Sequence, residues 1–240
     1  MDGLKMPILP YFSINSKIMD EETLKSIAEQ LRKPAGEYAV KVGEKMNEGN
    51  LQINVYTIEA LSLAPDDNLL EIGMGNGFFV KDILSANDFI RYTGCDFSEV
   101  MVDEASKINE GYVKAGTAKF YLANAERLPF NDEEFDKVFT VNTIYFWTDP
   151  SLVLSEIKRV LKPQGQVIIS IRPKAVMQYY PFVKYGFSMY NAPDLEALLT
   201  RNGYELVETI VREEPEQNLT ERDIKVETLI VIAKAPGSAD

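Results

Sequence analysis

Histidine is missing from the 240-residue chain, and cysteine occurs once, as Cys95. Catalytic triads that need imidazole are therefore excluded. Zinc sites built from nitrogen and sulfur ligands are excluded as well, so that only a metal that prefers oxygen ligands, such as magnesium, would suit this chain. We predict no metal site. Acid–base chemistry must rely on carboxylates, lysine, tyrosine or water.

The sequence also lacks the features of a secreted or membrane-bound protein. A single cysteine cannot form an internal disulfide, which fits a reducing compartment. Residues 1–10 show no basic segment followed by an apolar core, and no later run is long and apolar enough to span a bilayer. These patterns predict a cytoplasmic protein without a membrane span.

Positive charge is scarce, because 25 Lys and Arg stand against 37 Asp and Glu and give a net charge of -12. This charge would repel a phosphate backbone, and no basic cluster with interleaved aromatic residues offsets the repulsion locally. We therefore expect no nucleic-acid partner. The oligomeric state stays open.

Hydrophobic residues make up 45% of the chain, enough for one sizeable core. We assign residues 1–52 to an N-terminal helical cap and residues 53–240 to the main domain. Apolar spacing and helix-breaking residues predict three helices in and next to the cap: Glu21–Leu31, Gly36–Met46 and Ile53–Leu63.

From Asn68 onward, short apolar runs alternate with helical patterns, as they do in repeated βαβ units. The predicted strands are Leu69–Ile72, Arg91–Cys95, Lys119–Leu122, Lys137–Val141, Gln166–Ile171, Tyr204–Val211 and Lys225–Ala233. The predicted helices are Phe78–Ser85, Val100–Lys114, Leu152–Leu161 and Asp194–Asn202. The sequence thus predicts an α/β fold of the doubly wound, Rossmann-like class, with seven strands that are mostly parallel and a late antiparallel strand.

The strongest local signal is an apolar strand that runs into Gly73, Gly75 and Gly77 and then into a helix. Glycines let the backbone approach a ligand closely, and the start of a helix presents free N–H groups. The loop therefore predicts a site for a polar or anionic ligand. Phe78 stands where dinucleotide-binding folds have their last glycine.

Two acidic residues flank this loop. Glu71 lies within the strand, where a buried carboxylate needs a partner, which a cationic ligand would supply. Asp96 ends the next strand, about 20 residues past the glycines, where an acidic residue can accept hydrogen bonds from ribose hydroxyls. A plainer interpretation stays open, in which the glycines form only a turn and Asp96 and Ser98 cap a helix. The order of these features favours a ribose-containing cofactor.

The glycine loop and several motifs after it resemble those of the class I S-adenosylmethionine-dependent methyltransferases. The resemblance lies in the methyltransferase type 11-like branch, which includes small-molecule and quinone methyltransferases, and it covers about Ile53 to Ala233. The motifs beyond the glycine loop are Asp96-Phe97-Ser98 and the segments at residues 123–130, 135–138 and 156–166.

This resemblance implies that the chain binds S-adenosylmethionine and releases S-adenosylhomocysteine. It assigns the cofactor site to Glu71, Gly73, Gly75, Gly77, Asp96, Phe97, Asn124, Ala125 and Asn142. Within that site, Asp96 would hold the ribose, Phe97 would pack on the adenine face and Asn142 would lie near the sulfonium.

The chain departs from the family pattern at two places. The family often has Asp where this chain has Asn124, whose amide oxygen can still accept a hydrogen bond from the adenine amino group. Relatives frequently show His near residues 143–147, so an imidazole base is missing here. Tyr145 and Asp149 are the remaining candidates for a general base.

Aromatic residues are concentrated between Met177 and Tyr190. They belong to an insert at about residues 173–192 that follows the fifth strand, where this family commonly covers its substrate pocket. We predict an acceptor pocket with the aromatic residues Tyr11, Trp147, Tyr179, Tyr180 and Tyr185. An alternative stays open, in which these rings pack against the cap or in an interface.

The leading hypothesis is methyl transfer to a small molecule that the sequence does not identify. One alternative is a regulatory module that binds S-adenosylmethionine without turnover. The other is an NAD-dependent oxidoreductase, against which Phe78 argues.

Overall fold

The computed structural model describes residues 19–215 and 225–237. Its helices are α1 (Glu21–Arg32), α2 (Ala39–Gly49), α3 (Leu51–Ala60), α4 (Val80–Leu84), α5 (Glu99–Ile108), α6 (Glu110–Ala115), α7 (Pro150–Val160), α8 (Lys174–Met177) and α9 (Ala192–Arg201). Its strands are β1 (Asn68–Ile72), β2 (Arg91–Asp96), β3 (Ala118–Leu122), β4 (Phe135–Val141), β5 (Leu161–Ile171), β6 (Glu205–Glu213) and β7 (Glu227–Lys234). None of the helices in the described part is long and apolar enough to cross a membrane.

The seven strands form one sheet in the order β3-β2-β1-β4-β5-β7-β6. Strands β1 to β5 are parallel, and β7 is antiparallel to both of its neighbours. The predicted mostly parallel sheet with a late antiparallel strand is confirmed. The strand order reverses next to β1, because β2 lies on one side of it and β4 on the other. Such a reversal opens a crevice at the carboxyl ends of the strands.

Apolar side chains cover both faces of the sheet. On β1, the buried Leu70 packs in one cluster with Leu154 of α7. The next side chain along the strand points the other way, so that the buried Leu69 packs with Val80 of α4 in a second cluster. Burial of a leucine side chain contributes roughly 1.5–3 kcal/mol. The two clusters fix β1, and with it the loop that follows, between two layers of helices.

The predicted and observed elements differ most at two places. The helix expected over Val100–Lys114 is two helices, α5 and α6, which meet at Asn109. The side-chain amide of Asn109 donates to the carbonyl oxygens of Ala105 and Gly77, at 3.0 and 2.9 Å. It therefore connects the break between the two helices to the glycine loop. Strand β5 begins at Leu161, five residues before the predicted Gln166.

The N-terminal helices α1, α2 and α3 precede the sheet. The predicted boundary between residues 52 and 53 falls inside α3, which is continuous from Leu51 to Ala60. The division of the chain at that point stays a prediction.

Candidate functional site

A cavity of about 220 Å³ opens at the carboxyl ends of β1, β2 and β4. Residues of α1, α2, α3 and α7 and the segment that follows β3 also contribute to its wall. It is lined by eight of the nine residues assigned to the cofactor and by one predicted aromatic residue, which are Glu71, Gly73, Gly75, Asp96, Phe97, Asn124, Ala125, Asn142 and Trp147. The fold thus brings together residues from distant parts of the sequence.

The glycine loop has the backbone shape that its sequence indicates. Gly73 and Gly75 have φ angles of +75° and +57°, in the left-handed region. A Cβ atom on Gly73 would lie 2.2 Å from Cγ2 of Thr143, whereas a Cβ atom on Gly75 would meet no atom within 4 Å. Gly73 therefore permits close packing, and Gly75 leaves open backbone on the cavity wall.

Gly77 has a different environment from the other two glycines. It is not among the cavity-lining residues of the described chain. A Cβ atom there would lie 2.9 Å from Nδ2 of Asn109 and 3.0 Å from Cβ of Ala105. Gly77 lets the loop pack against α5, and its predicted contact with the cofactor is not seen in the cavity wall.

Asp96 connects the end of β2 to the glycine loop. Its Oδ2 accepts a 3.1 Å hydrogen bond from the amide of Gly75, and its Oδ1 accepts a 2.8 Å bond from the amide of Ser98. Ser98 is the N-cap of α5. The helix-capping interpretation therefore holds for Ser98, while Asp96 lies at the cavity as well. Burial raises the pKa of Asp96 to about 6, and these amide hydrogen bonds oppose the increase.

Glu71 forms the second acidic position of the cavity. Its carboxylate is buried and accepts a 2.5 Å hydrogen bond from the hydroxyl of Tyr92. The pKa of Glu71 is raised to about 7, mainly by burial; the bond from Tyr92 opposes the increase, and the negative charge of Asp96 adds to it. Two neighbouring buried carboxylates favour a cationic ligand, since a positive charge would stabilise both ionised forms.

Asn142 follows β4 and borders the cavity in a fixed orientation. Its backbone has a φ of +56°, a left-handed conformation that asparagine tolerates better than most residues. Its side-chain oxygen lies 3.0 Å from the hydroxyl of Tyr145 and shares that hydroxyl's one hydrogen with the carbonyl oxygen of Arg172, and its Nδ2 donates a 3.1 Å bond to Oδ1 of Asn50. The side-chain amide is held on both sides.

The structure does not support either predicted general base. The hydroxyl of Tyr145 is buried between the backbone N–H and C=O of Arg172, each 2.8 Å away. Burial raises the pKa of Tyr145, which disfavours the phenolate that a base would require. Asp149 is exposed and caps α7 by accepting bonds from the amides of Ser151 and Leu152, at 3.0 and 3.1 Å. It is not among the residues that line the larger cavity.

A smaller cavity of about 60 Å³ adjoins the larger one. The two share the wall residues Leu31, Met46, Asn50, Asn142 and Phe146. The rest of the smaller cavity is lined by Tyr145, Arg172, Met177, Tyr180, Phe182 and Phe187. Part of the aromatic insert therefore faces this space.

The residues predicted to line the acceptor pocket lie in different parts of the structure. Trp147 lines the larger cavity and Tyr180 the smaller one. Tyr179 is 42% exposed and is absent from both described walls. Tyr185 is also absent from them, and its ring lies 5.5 Å from Nζ of Lys25 on α1, so that it packs against the cap. Tyr11 lies outside the described residues.

Sequence reasoning missed a buried ion pair behind the smaller cavity. Nε and Nη2 of Arg172 donate to the two carboxylate oxygens of Glu214, at 3.0 and 2.8 Å. Nη2 also donates to the carbonyl oxygen of Gly49, at 2.6 Å. An arginine directly after an apolar strand is a signal that could have been noticed, whereas Glu214 precedes a polar segment and gives no such signal.

Comparisons with known proteins agree with this geometry. Residues 70–169 match the methyltransferase domain family. The chain is 30% identical over 125 residues to the uncharacterized methyltransferase YdaC of Bacillus subtilis, covering 52% of this chain and 67% of YdaC. It is 26% identical over 214 residues to the ubiquinone/menaquinone biosynthesis C-methyltransferase UbiE of Vibrio parahaemolyticus, covering 85% of this chain and 80% of UbiE.

The fold is also similar to that of solved methyltransferase structures. The structure superposes on a SAM-dependent methyltransferase from Aquifex aeolicus with a TM-score of 0.63, at 17% identity, over 88% of this chain and 98% of that one. The sheet order, the matched domain and the similarity to YdaC lead to one assignment. The chain belongs to the class I S-adenosylmethionine-dependent methyltransferases.

Proposed function

We propose that the larger cavity binds S-adenosylmethionine and that the chain transfers its methyl group to a small organic acceptor in the adjoining cavity. The observation that carries this proposal is the pair of buried carboxylates, Glu71 and Asp96, beside the open backbone of Gly75. The positive ammonium group of the ligand matches Glu71 in charge, and its ribose hydroxyls can donate hydrogen bonds to Asp96.

Each part of the ligand has a candidate partner in the cavity wall. Glu71 would stabilise the ammonium end, and the free lone pairs of Asp96 would accept from the ribose hydroxyls. The ring of Phe97 is 37% exposed and would cover the adenine, with Asn124 and Ala125 at its edge. These roles follow from chemical complementarity and from the family resemblance.

The chain's own contribution to the reaction is to hold the reactants in position. When bound, S-adenosylmethionine would supply an activated methyl group, whose transfer to an acceptor lone pair would release S-adenosylhomocysteine and pass any proton of the acceptor atom to solvent. Holding the two reactants in line lowers the entropic part of the barrier. Asn142 and Phe146 lie in the wall shared by both cavities and would set the approach of the acceptor.

The ionisable groups of the two walls limit the choice of acceptor. Among the described residues, the larger cavity is lined by the ionisable side chains of Arg32, Glu71, Cys95, Asp96 and Glu126. Tyr145 is held by hydrogen bonds in the smaller one. We therefore infer an acceptor whose nucleophilic atom reacts without a strong base. UbiE, named for quinone biosynthesis, is one precedent for a small-molecule acceptor.

Binding calorimetry tests the cofactor assignment. We expect saturable, one-to-one binding of S-adenosylmethionine and S-adenosylhomocysteine and none of NADH, whose binding would instead favour the oxidoreductase alternative. Absence of saturable binding by both methionine-derived ligands would reject the proposal. A regulatory module would bind both ligands but form no S-adenosylhomocysteine with any member of an acceptor panel. The cytoplasmic location stays a prediction.

A further inference from the structure

The boundary between the two cavities carries a second inference, which rests on the proposed function. We propose that the side-chain N–H groups of Asn50 and Asn142 bind a carbonyl-type oxygen of the acceptor at this boundary. The acceptor then presents an oxygen that accepts hydrogen bonds, and not a protonated amine. Nothing in the family assignment specifies this choice, which follows from how the two amides are held.

Asn50 and Asn142 are the polar side chains that the two described cavities share. The other shared residues, Leu31, Met46 and Phe146, have apolar side chains. Asn50 lies between α2 and α3, and Asn142 directly follows β4. A molecule that reaches from one cavity into the other therefore lies against both amides.

Groups that can only donate hydrogen bonds fix the orientation of each amide. The backbone N–H of Arg172 lies 3.3 Å from Oδ1 of Asn142, and Nη1 of Arg172 lies 3.4 Å from Oδ1 of Asn50. Nδ2 of Asn142 also donates to Oδ1 of Asn50, at 3.1 Å. If either amide were turned around, its NH2 group would face a donor of Arg172. The two oxygens are therefore engaged by the protein.

Arg172 keeps these contacts because it is itself held on other sides. Its side chain is buried with that of Glu214, with which it forms the bidentate pair. The hydroxyl of Thr228 donates a 2.9 Å hydrogen bond to the same carboxylate. Such a pair has a fixed geometry. The orientation of the two amides is therefore set before any acceptor binds.

The nitrogens of the two amides keep hydrogens for a ligand. Each side-chain amide has two N–H donors, and Asn142 uses one of them on Asn50. Nδ2 of Asn50 makes no hydrogen bond within the described part of the chain. Unlike the hydroxyls of Tyr180 and Tyr185, it is not one of the unpartnered polar atoms that are closed off from solvent. The boundary therefore offers donors, which match a carbonyl oxygen, whereas a protonated amine would have to displace a bond of Arg172.

Acetone and isopropylammonium separate the two chemistries at nearly equal size. Acetone carries an oxygen that accepts hydrogen bonds, and isopropylammonium carries only donors at pH 7. Their binding can be followed in 15N NMR spectra by the side-chain amide signals of Asn50 and Asn142, with and without S-adenosylhomocysteine. The wild-type protein is compared with Asn50→Asp, which replaces the N–H donors by a carboxylate oxygen. Asn47→Asp makes the same change in the wall of the larger cavity alone and is the control.

We expect acetone to shift both signals of the wild-type protein saturably and isopropylammonium to bind more weakly. Asn50→Asp should weaken acetone binding, read from the Asn142 signal, by about threefold to tenfold, the effect of one neutral hydrogen bond. It should strengthen the binding of isopropylammonium. Asn47→Asp should keep the wild-type preference.

Three results would overturn this proposal: no saturable acetone shift at Asn50, equally tight binding of isopropylammonium to the wild-type protein, or an unaltered preference in Asn50→Asp. The first two are measured on the wild-type protein and do not depend on the folding of a variant. Loss of S-adenosylhomocysteine binding would instead reject the proposed function, while the titrations without it still decide this inference.

Discussion

The hydroxyl of Tyr92 on β2 donates a 2.5 Å hydrogen bond to the carboxylate of Glu71 on β1, and both side chains are buried. This bond favours the ionised form of Glu71 against the effects of burial and of the charge on Asp96. We therefore predict that Tyr92→Phe raises the pKa of Glu71 further above its usual value. S-adenosylhomocysteine binding, which uses a cationic amino group, should weaken at pH 7 and recover at higher pH. Calorimetry between pH 6 and 9 measures this shift, and a profile identical to that of the wild type would contradict it.

The pH dependence of folding gives a second prediction. Burial raises the pKa of Glu71 from 4.5 to about 7, so that the folded protein keeps a proton that the unfolded chain has lost. The free energy of unfolding must then fall as the pH rises through this window. The fall due to Glu71 should be at most about 3 kcal/mol. Glu71→Gln has no such proton, and its urea unfolding should be less pH-dependent. Equal slopes for the two proteins would show that Glu71 does not titrate in this range.

Asp96 allows a direct test of cofactor binding. Asp96→Ala removes the predicted ribose contact and the anchor of the Gly75 amide. We expect S-adenosylhomocysteine binding to weaken by about 1.5–3 kcal/mol, the range for a charge-assisted hydrogen bond. Asp103→Ala, on the exposed side of α5, serves as the control and should leave the affinity unchanged. An Asp96→Ala protein that binds as tightly as the wild type would remove Asp96 from the site.

Much of this site was predictable because its signals are local. The strand before Gly73, and the acidic residue after the next strand, each occupy a short stretch of sequence. The fold class follows from the alternation of short apolar runs with helical patterns along the chain. Parallel strands then bring their carboxyl ends to one edge of the sheet. Gly75 and Asp96 could therefore be placed together before any contact was known.

The features of the site that the sequence does not predict depend on burial and on contacts between residues far apart in the chain. Arg172 and Glu214 are 42 residues apart and are joined by the antiparallel register of the late strands. The same limit applies to Tyr145 and Asp149, because their prediction as general bases rests on sequence position alone. Whether a hydroxyl is buried between backbone groups, or a carboxylate caps a helix, depends on packing that sequence spacing does not specify.

The glycine loop predicts a contrast between two alanine substitutions. Gly73→Ala should destabilise the fold strongly, because its Cβ would lie 2.2 Å from Cγ2 of Thr143. Adding Thr143→Ser removes that methyl group and should restore part of the lost stability. Gly75→Ala meets no neighbour, so it should cost only about 1–2 kcal/mol for its left-handed backbone, yet it should impair cofactor binding. Thermal unfolding and calorimetry separate the two effects, and equal unfolding of both single variants would contradict the packing role of Gly73.

Two buried tyrosines allow a matched test of what a buried hydroxyl contributes to stability. The hydroxyl of Tyr204 donates a 2.8 Å bond to the carbonyl oxygen of Leu154, whereas the hydroxyl of Tyr180 has no partner among the described residues. Each ring is 3% exposed, so that replacement by phenylalanine removes one hydroxyl from a similar depth. Tyr204→Phe should lower the free energy of unfolding by about 1 kcal/mol, the usual net value of one intramolecular hydrogen bond.

Tyr180→Phe should instead leave the free energy of unfolding unchanged or raise it slightly, because it removes a buried hydroxyl that has no hydrogen-bond partner among the described residues. Urea unfolding of the two variants beside the wild type measures the difference. If Tyr180→Phe destabilises the protein as much as Tyr204→Phe does, its hydroxyl must be bonded in the ligand-free protein.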